Sequence, residues 1–273
     1  MRPLQGVRVL DLSSVIFGPL ASQVLADYGA EVIKIEPPKG DSTRHTGPAA
    51  EPGMAAMFLG SNRSKKSVAL DLKQPVAQQA LQALIGTADV FMHSMRPQKL
   101  AGLGLAPEAL RARHPRLVYA SLLGFLPGPY AGRPAYDDVI QGMSGLADLM
   151  DQQSGEARYL PTIAADKTCG HVAAHAILAA LWQRERTGQG AFVEVPMFES
   201  MVGFNLVERV KLEDGTTDLA TWLTCSTKAH DIAMVRHAED AKLHHVAFQM
   251  PSWESVLRAA DIMSVNRVSI DIG

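Results

Sequence analysis

Cysteine is scarce in this chain. Among 273 residues there are two, Cys169 and Cys225, in no CxxC pair and at no metal-binding spacing from each other. That argues against a disulfide framework or a dithiol redox centre and suits a reducing compartment. Charge of one sign is missing too: a net charge of -2 leaves no grossly basic surface for nucleic acid or a membrane. No apolar run approaches the roughly 18 residues of a membrane span. Met1 leads into RPLQGVRVLDLSS, which reads as a strand and not as a leader peptide. A soluble, cytoplasmic protein is expected. GxGxxG and the P-loop Lys-Ser/Thr are absent, which weakens a nucleotide-site reading, and no GxSxG elbow marks a hydrolase. What is present is an ordinary globular composition, 47% hydrophobic and 20% charged, with enough chain for one or two domains.

The first two hundred residues alternate between strand and helix. VRVLDLSS (7–14) is an apolar run with β-branched residues, and the Gly-Pro at 18–19 opens a helix through LASQVLADYG. EVIKIEPP (31–38) is the next strand, so the chain begins β-α-β with a parallel pair. A polar loop, KGDSTRHTGPAAEPG, follows. Then come strand SVALDL, helix PVAQQALQALIG, strands DVFMHS and RLVYASL, and a helix over Asp137–Met150. A helix opening after Asp166, strand AFVEVPM (191–197) and a helix from Phe198 complete this region. The pattern predicts α/β with a parallel sheet. From about Lys211 the texture changes to short strands, DLATWLTCS, DIAMVRH and HHVAFQM, then helix SWESVLRAADIM and strand VSIDIG. No Gly-, Ser- or Pro-rich linker marks the change.

Several stretches carry candidate chemistry. In LPTIAADKTCGHVAAHAILAAL a lone carboxylate, Asp166, heads an apolar helix. It reads as a cap that meets unpaired N–H groups, or as a nucleophile held partly dry. His171 and His175 share a helix face, but HVAAH lacks the glutamate of HExxH and reads as helix packing more than as a zinc site. Asn62, Arg63, Lys65 and Lys66 read as a solvated basic loop or as a small anion clamp. GFLPGPYAGRPAYDDVIQGMSG is a Gly- and Pro-rich loop feeding a helix through Tyr136, Asp137 and Asp138.

Taken together these stretches resemble the family III CoA-transferases, the formyl-CoA and carnitine CoA-transferase type with acyl-CoA racemase relatives. The matching pieces are GVRVLDLSSVIFGPLASQVLADYGAEVIKIEPPKGDSTR, NRSKKSVALDLK, GFLPGPYAGRPAYDDVIQGMSGL and AADKTCGHVAAHAILAALWQRERTGQGAFVEVPMFESM, over residues 1–208. The resemblance implies a Rossmann-like parallel sheet and exchange of CoA between an acyl-CoA and a free carboxylic acid, with coenzyme A entering as part of the substrate. It implies Asp166 as the nucleophile that becomes an aspartyl-CoA thioester. It also implies that Val15, Ile16, Arg63, Lys66, Arg96 and Tyr136 contact CoA. The family's Asn-aromatic-Arg-Pro-Gly is here Ser94-Met95-Arg96-Pro97-Gln98. Racemases of the family carry a His–Asp pair where this chain has Tyr136-Asp137. A phenol with a pKa near 10 is a poor proton partner at neutral pH, which favours transfer over racemisation. Family members have longer chains that interlock as homodimers, so the front part is expected to be incomplete.

Residues 209–273 resemble instead an internal piece of an extradiol ring-cleavage enzyme, the catechol 2,3-dioxygenase type, through STKAHD and LHHVAF. That resemblance implies a vicinal-oxygen-chelate fragment of α+β type. It implies His245 as one ligand of an Fe(II) site whose other histidine and glutamate have no counterpart here, and His230 near the substrate. The chain therefore reads as a chimera whose tail is an incomplete, non-functional iron-site remnant.

Overall fold

The computed structural model describes residues 2–203 and the backbone of three further strands, 206–211, 218–223 and 232–235. The chain divides into two units, Met1–Met201 and Val202–Gly273. The first unit begins with β1 (Arg8–Leu12), α1 (Phe17–Asp27), β2 (Glu31–Glu36), α2 (Ala56–Asn62) and β3 (Lys65–Ala69). It continues with α3 (Pro75–Ile85), β4 (Val90–His93), α4 (Pro97–Gly102), α5 (Pro107–Arg113) and β5 (Val118–Leu123). Helices α6 (Asp137–Met143), α7 (Leu146–Ser154) and α8 (Ala164–Thr187) precede β6 (Phe192–Pro196) and α9 (Met197–Gly203).

The six strands are all parallel, in the order β3-β2-β1-β4-β5-β6. This is the doubly wound arrangement expected from the β-α-β opening, and it reverses direction between β1 and β4. Strand periodicity explains the layers. Val9, Val90, Met92, Val118 and Ala120 face one side with Phe17, Ala21 and Leu25 of α1 and Ala173, Ala174 and Ile177 of α8. Leu10, Phe91 and Tyr119 face the other, with Leu81 and Ile85 of α3 and Leu110 of α5. Both faces are covered, so the central strands read as unbroken apolar runs.

Two details differ from the sequence expectation. The helix over Asp137–Met150 is broken at Gly145, whose φ of 83° is left-handed and starts α7 anew. The loop after β2 contains a 3-10 turn over Ser42–His45 and then α2, and α4 and α5 cross from β4 to β5. In the second unit β7 (Leu206–Lys211), β8 (Asp218–Leu223) and β9 (Ile232–Val235) form an antiparallel sheet. HHVAFQM, SWESVLRAADIM and VSIDIG lie outside the described residues.

Glycine is required where the chain enters β6. A methyl group on Gly190 would collide with the carbonyl of Leu117, which is backbone and cannot swing aside. Gly190→Ala is expected to lower stability by about 3 kcal/mol, the upper range for overpacking, as read by urea denaturation.

Candidate active site

In an open parallel sheet, ligands settle beyond the carboxyl ends of the strands, where the strand order reverses. Here that point lies between Ser13–Ile16, after β1, and Ser94–Arg96, after β4. A cavity of about 430 Å³ opens there. Its lining includes Val15, Phe17, Ser94, Arg96, Arg133, Tyr136 and Asp166. Asp166, Val15, Arg96 and Tyr136 are thus brought together from loops and helices far apart in sequence.

Asp166 is the third residue of α8 and is 9% exposed. It does not cap its own helix. Its Oδ1 accepts the N–H of Phe17, the first residue of α1, at 3.1 Å. The cap of α8 comes from elsewhere: the Asp166 N–H donates to Asp137 Oδ1 at 2.9 Å. Asp137 is steadied by the Gln141 side-chain amide at 2.5 Å, and Gln141 also accepts the N–H of Leu160 at 2.9 Å. Asp166 therefore stands at the N-terminal ends of two helices, where both dipoles favour its ionised form. Burial, and then the charge of Asp137, overcome this and raise its pKa from 3.8 to about 6, with the Phe17 N–H opposing. A carboxyl with that pKa is mostly ionised at pH 7, yet is less solvated and more basic than an ordinary aspartate.

Gly170, one helical turn beyond Asp166, allows the close approach of the two helices. A methyl there would stand 3.0 Å from Leu20 and 3.1 Å from the Phe17 carbonyl. Cys169, also buried, has its thiol pushed up to about 12 by burial and then by the nearby Asp166 and Asp137 charges, which favours the protonated thiol at neutral pH.

The turn that carries the Phe17 amide is built over buried charges. Asp11 accepts from the Ser13 amide and from the hydroxyls of Ser13 and Ser22, and pairs with Lys65 at 3.3 Å. Burial alone would raise Asp11, but Lys65, Lys34 and the two hydroxyls carry it down to about 2. Lys65 is brought down to about 8 by burial, against the pull of Asp11. Lys34 pairs with Asp41 at 3.0 Å, both 1% exposed, and Arg44 with Glu36 at 2.7 Å.

A larger cleft of about 930 Å³ adjoins the first and shares Ser14 and Met95 with it. Pro37, Pro38, Leu70, Leu72 and Leu103 give it apolar walls, and Lys73 and Lys99 also line it. Ile16 faces a third, apolar cavity of about 410 Å³ with Leu20, Met57 and Ile163.

Arg63 and Lys66 are not brought to these cavities. They lie at the N-terminal end of β3, the opposite end of the sheet, where Arg63 pairs with Asp27 at 2.5 Å and Lys66 with Glu31 at 2.6 Å. His171 and His175 are exposed on α8, and no group of three or more metal-binding side chains occurs among the described residues. His230 and His245, on which the iron expectation falls, lie outside those residues. Sequence reasoning did not single out Arg133, Lys73 and Lys99, which line the two cavities, or Asp137 as the cap of α8. The GRPAYDD stretch, with an arginine and two aspartates around a helix start, was the available signal. No helix among the described residues is long and apolar enough to cross a membrane.

Several known proteins are similar to this chain. A "Probable fatty acyl-CoA transferase", Rv3272 of Mycobacterium tuberculosis, is 42% identical over 205 residues, 74% of this chain and 52% of the relative. Its crystal structure superposes with a TM-score of 0.69, over 75% of this chain and 57% of that one. A succinyl-CoA:glutarate CoA-transferase of Mus musculus is 39% identical over 204 residues, 74% of this chain and 47% of its own. The chain spans about half the length of the curated relatives it matches. The 2,3-dioxygenase LapB of Pseudomonas sp. KL28 is 59% identical over 25% of this chain and 24% of its own, with a TM-score of 0.18. The family description "CoA-transferase family III" fits residues 4–261, past the expected boundary at 208, and the chain belongs to that family.

Proposed function

We propose that the protein transfers CoA from an acyl-CoA to a free carboxylic acid, with Asp166 as the covalent carrier. The observation that carries this reading is the setting of one carboxylate. Asp166 is nearly dry, opens into a cavity at the switch point of the sheet, and keeps one oxygen on a backbone amide. The adjoining larger cleft suits the nucleotide end of CoA, with Lys73 and Lys99 toward its phosphates. The pantetheine arm then passes Ser14 and Met95, common to both cavities, and brings the thioester to Asp166 beside Val15, Arg96 and Tyr136.

In this scheme Oδ2 attacks the thioester carbonyl, the C–S bond breaks, and a mixed anhydride and the CoA thiolate result. The thiolate attacks the aspartyl carbonyl, forming the aspartyl-CoA thioester and releasing the donor acid. An acceptor carboxylate attacks that thioester, and the freed thiolate takes the acceptor's acyl group, restoring Asp166. Two moderate steps replace one hard exchange in each direction. Phe17 has a specific part. Its amide lies 3.1 Å from Oδ1, the atom that becomes the aspartyl acyl oxygen and bears negative charge each time that carbonyl is attacked. That is the distance range of an oxyanion-hole donor.

We also infer that residues 209–273 have a separate origin, from an extradiol dioxygenase. Support comes from the STKAHD and LHHVAF motifs and from the change of unit at Met201/Val202. Curated relatives also align over only 203–213 residues. The family match running to 261 stands against it. Oxygen uptake with catechol and Fe(II) is expected at the blank rate, because His245 is one ligand where ring cleavage needs three. Uptake above the blank that depends on His245 would show a working iron site in place of a remnant.

Asp166→Asn is expected to cut exchange by at least roughly a thousandfold, since the amide cannot form the anhydride. Succinyl-CoA with glutarate and a fatty acyl-CoA with a free fatty acid are suitable pairs, assayed for the new thioester. Exchange that survives in Asp166→Asn would remove the covalent scheme.

The same substitution has a consequence for stability. The folded-state pKa of Asp166 is raised, so the fold favours the protonated form. Stability from this group is present below the unfolded value of 3.8 and is lost as pH rises to about 6 and beyond. The full shift corresponds to roughly 3 kcal/mol. Asp166→Asn should therefore be more stable than wild type at pH 8 by up to that amount, with the advantage gone near pH 4. Urea denaturation at both pH values is the check.

A further inference from the structure

We propose that Asp41 is a positioning residue for Asp166: by holding Val15 in a left-handed turn, it sets the Phe17 amide against the Asp166 carboxylate. The inference rests on Asp166 as the reacting carboxylate and adds to it the part that aims it. Val15 has a φ of 68°, a conformation that a β-branched residue avoids unless its surroundings impose it. The surroundings here are the Lys34–Asp41 ion pair, with both side chains 1% exposed. Lys34 Nζ donates to the Ser13 carbonyl at 2.9 Å. The two Asp41 oxygens receive the Val15 N–H at 3.4 and 3.3 Å. One ion pair thus holds the backbone on both sides of Ser14, whose own N–H donates to Ser94 Oγ at 3.2 Å.

Asp41 is itself fixed. Its carboxylate accepts the Thr43 amide at 3.0 Å and the Thr43 hydroxyl at 2.8 Å, and its N–H donates to Glu36 at 2.8 Å. Nothing in this set is free to follow a wandering turn, so the turn follows the ion pair. Two residues past Val15 the chain enters α1 at Phe17, and the Phe17 N–H reaches Asp166. Asp41 also lines the larger cleft, beside Ser13 and Ser14.

The groups facing Asp166 are Asp137 from α6, the Phe17 amide from α1 and Cys169 from its own helix. Arg96, Arg133 and Tyr136 line its cavity. The test is the pH titration of the Asp166 side-chain carboxyl by 13C NMR, assigned with Asp166→Asn, in wild type and in Asp41→Asn. Removing the Asp41 charge acts on Asp166 in one direction only: with one negative charge fewer, its midpoint falls. Losing the Phe17 hydrogen bond raises it. An upward shift of about half a pH unit or more is expected. A midpoint that stays or falls would overturn the proposal.

Asp41→Asn leaves Lys34 buried without its counter-ion, so the double variant Lys34→Met with Asp41→Leu is measured beside it. That change removes a neutral pair, and the same upward shift is expected. Failure of both variants to fold would also overturn the proposal, because Asp41 would then serve the fold and not the aim of Asp166. The titration needs no acyl-CoA. A wild-type protein that titrates as expected but exchanges nothing would count against the transferase reading alone.

Discussion

A carboxylate taken out of water must be given donors, and most of the first unit can be understood as the means of supplying them to Asp166. Helices α1 and α8 both point their N-terminal ends at it, one through the Phe17 amide and the other by carrying Asp166 in its first turn. Their close approach needs Gly170, and their shared apolar face forms one of the two cores. The orphan amide that Asp166 leaves at the start of α8 is taken by Asp137, whose charge then makes the Asp166 carboxyl harder to ionise. Capping of α8 and the raised pKa of Asp166 are two sides of one arrangement.

The second requirement is that the donor stay in place. The turn after β1 is strained at Val15 and could not rest on apolar side chains, which cannot hold a backbone amide or carbonyl. It rests on paired charges: Asp11 with Lys65, Lys34 with Asp41, and Glu36 with Arg44. Such buried pairs add little net stability compared with apolar packing, but each has a directional partner, which a turn of fixed shape needs.

The layers of the fold were legible in sequence because β1, β2, β4 and β5 are buried on both faces and leave unbroken apolar runs in VRVLDL, EVIKIE, DVFMHS and RLVYASL. Helices α2, α4 and α5 were not legible. Each is six or seven residues long, and two of them open on proline, so none shows a full period of helical hydrophobicity. Asp166 was legible as a carboxylate heading an apolar helix, though the amide it meets comes from 149 residues away, which no local pattern carries. Arg63 and Lys66 show the reverse. A basic run before a strand reads as an anion clamp, but both side chains meet carboxylates at the far end of the sheet. Periodicity records burial well, while charge in a sequence does not record which charge it will meet.

If Asp166 carries CoA, the aspartyl-CoA adduct forms even without an acceptor acid. The protein is mixed with an acyl-CoA alone, quenched in acid, digested and read by peptide mass spectrometry. One modified peptide is expected, spanning Asp166, heavier by CoA less one water, with the donor acid released in step. An unmodified peptide from protein that does exchange CoA once an acceptor acid is added, or a CoA adduct on any other residue, would contradict it.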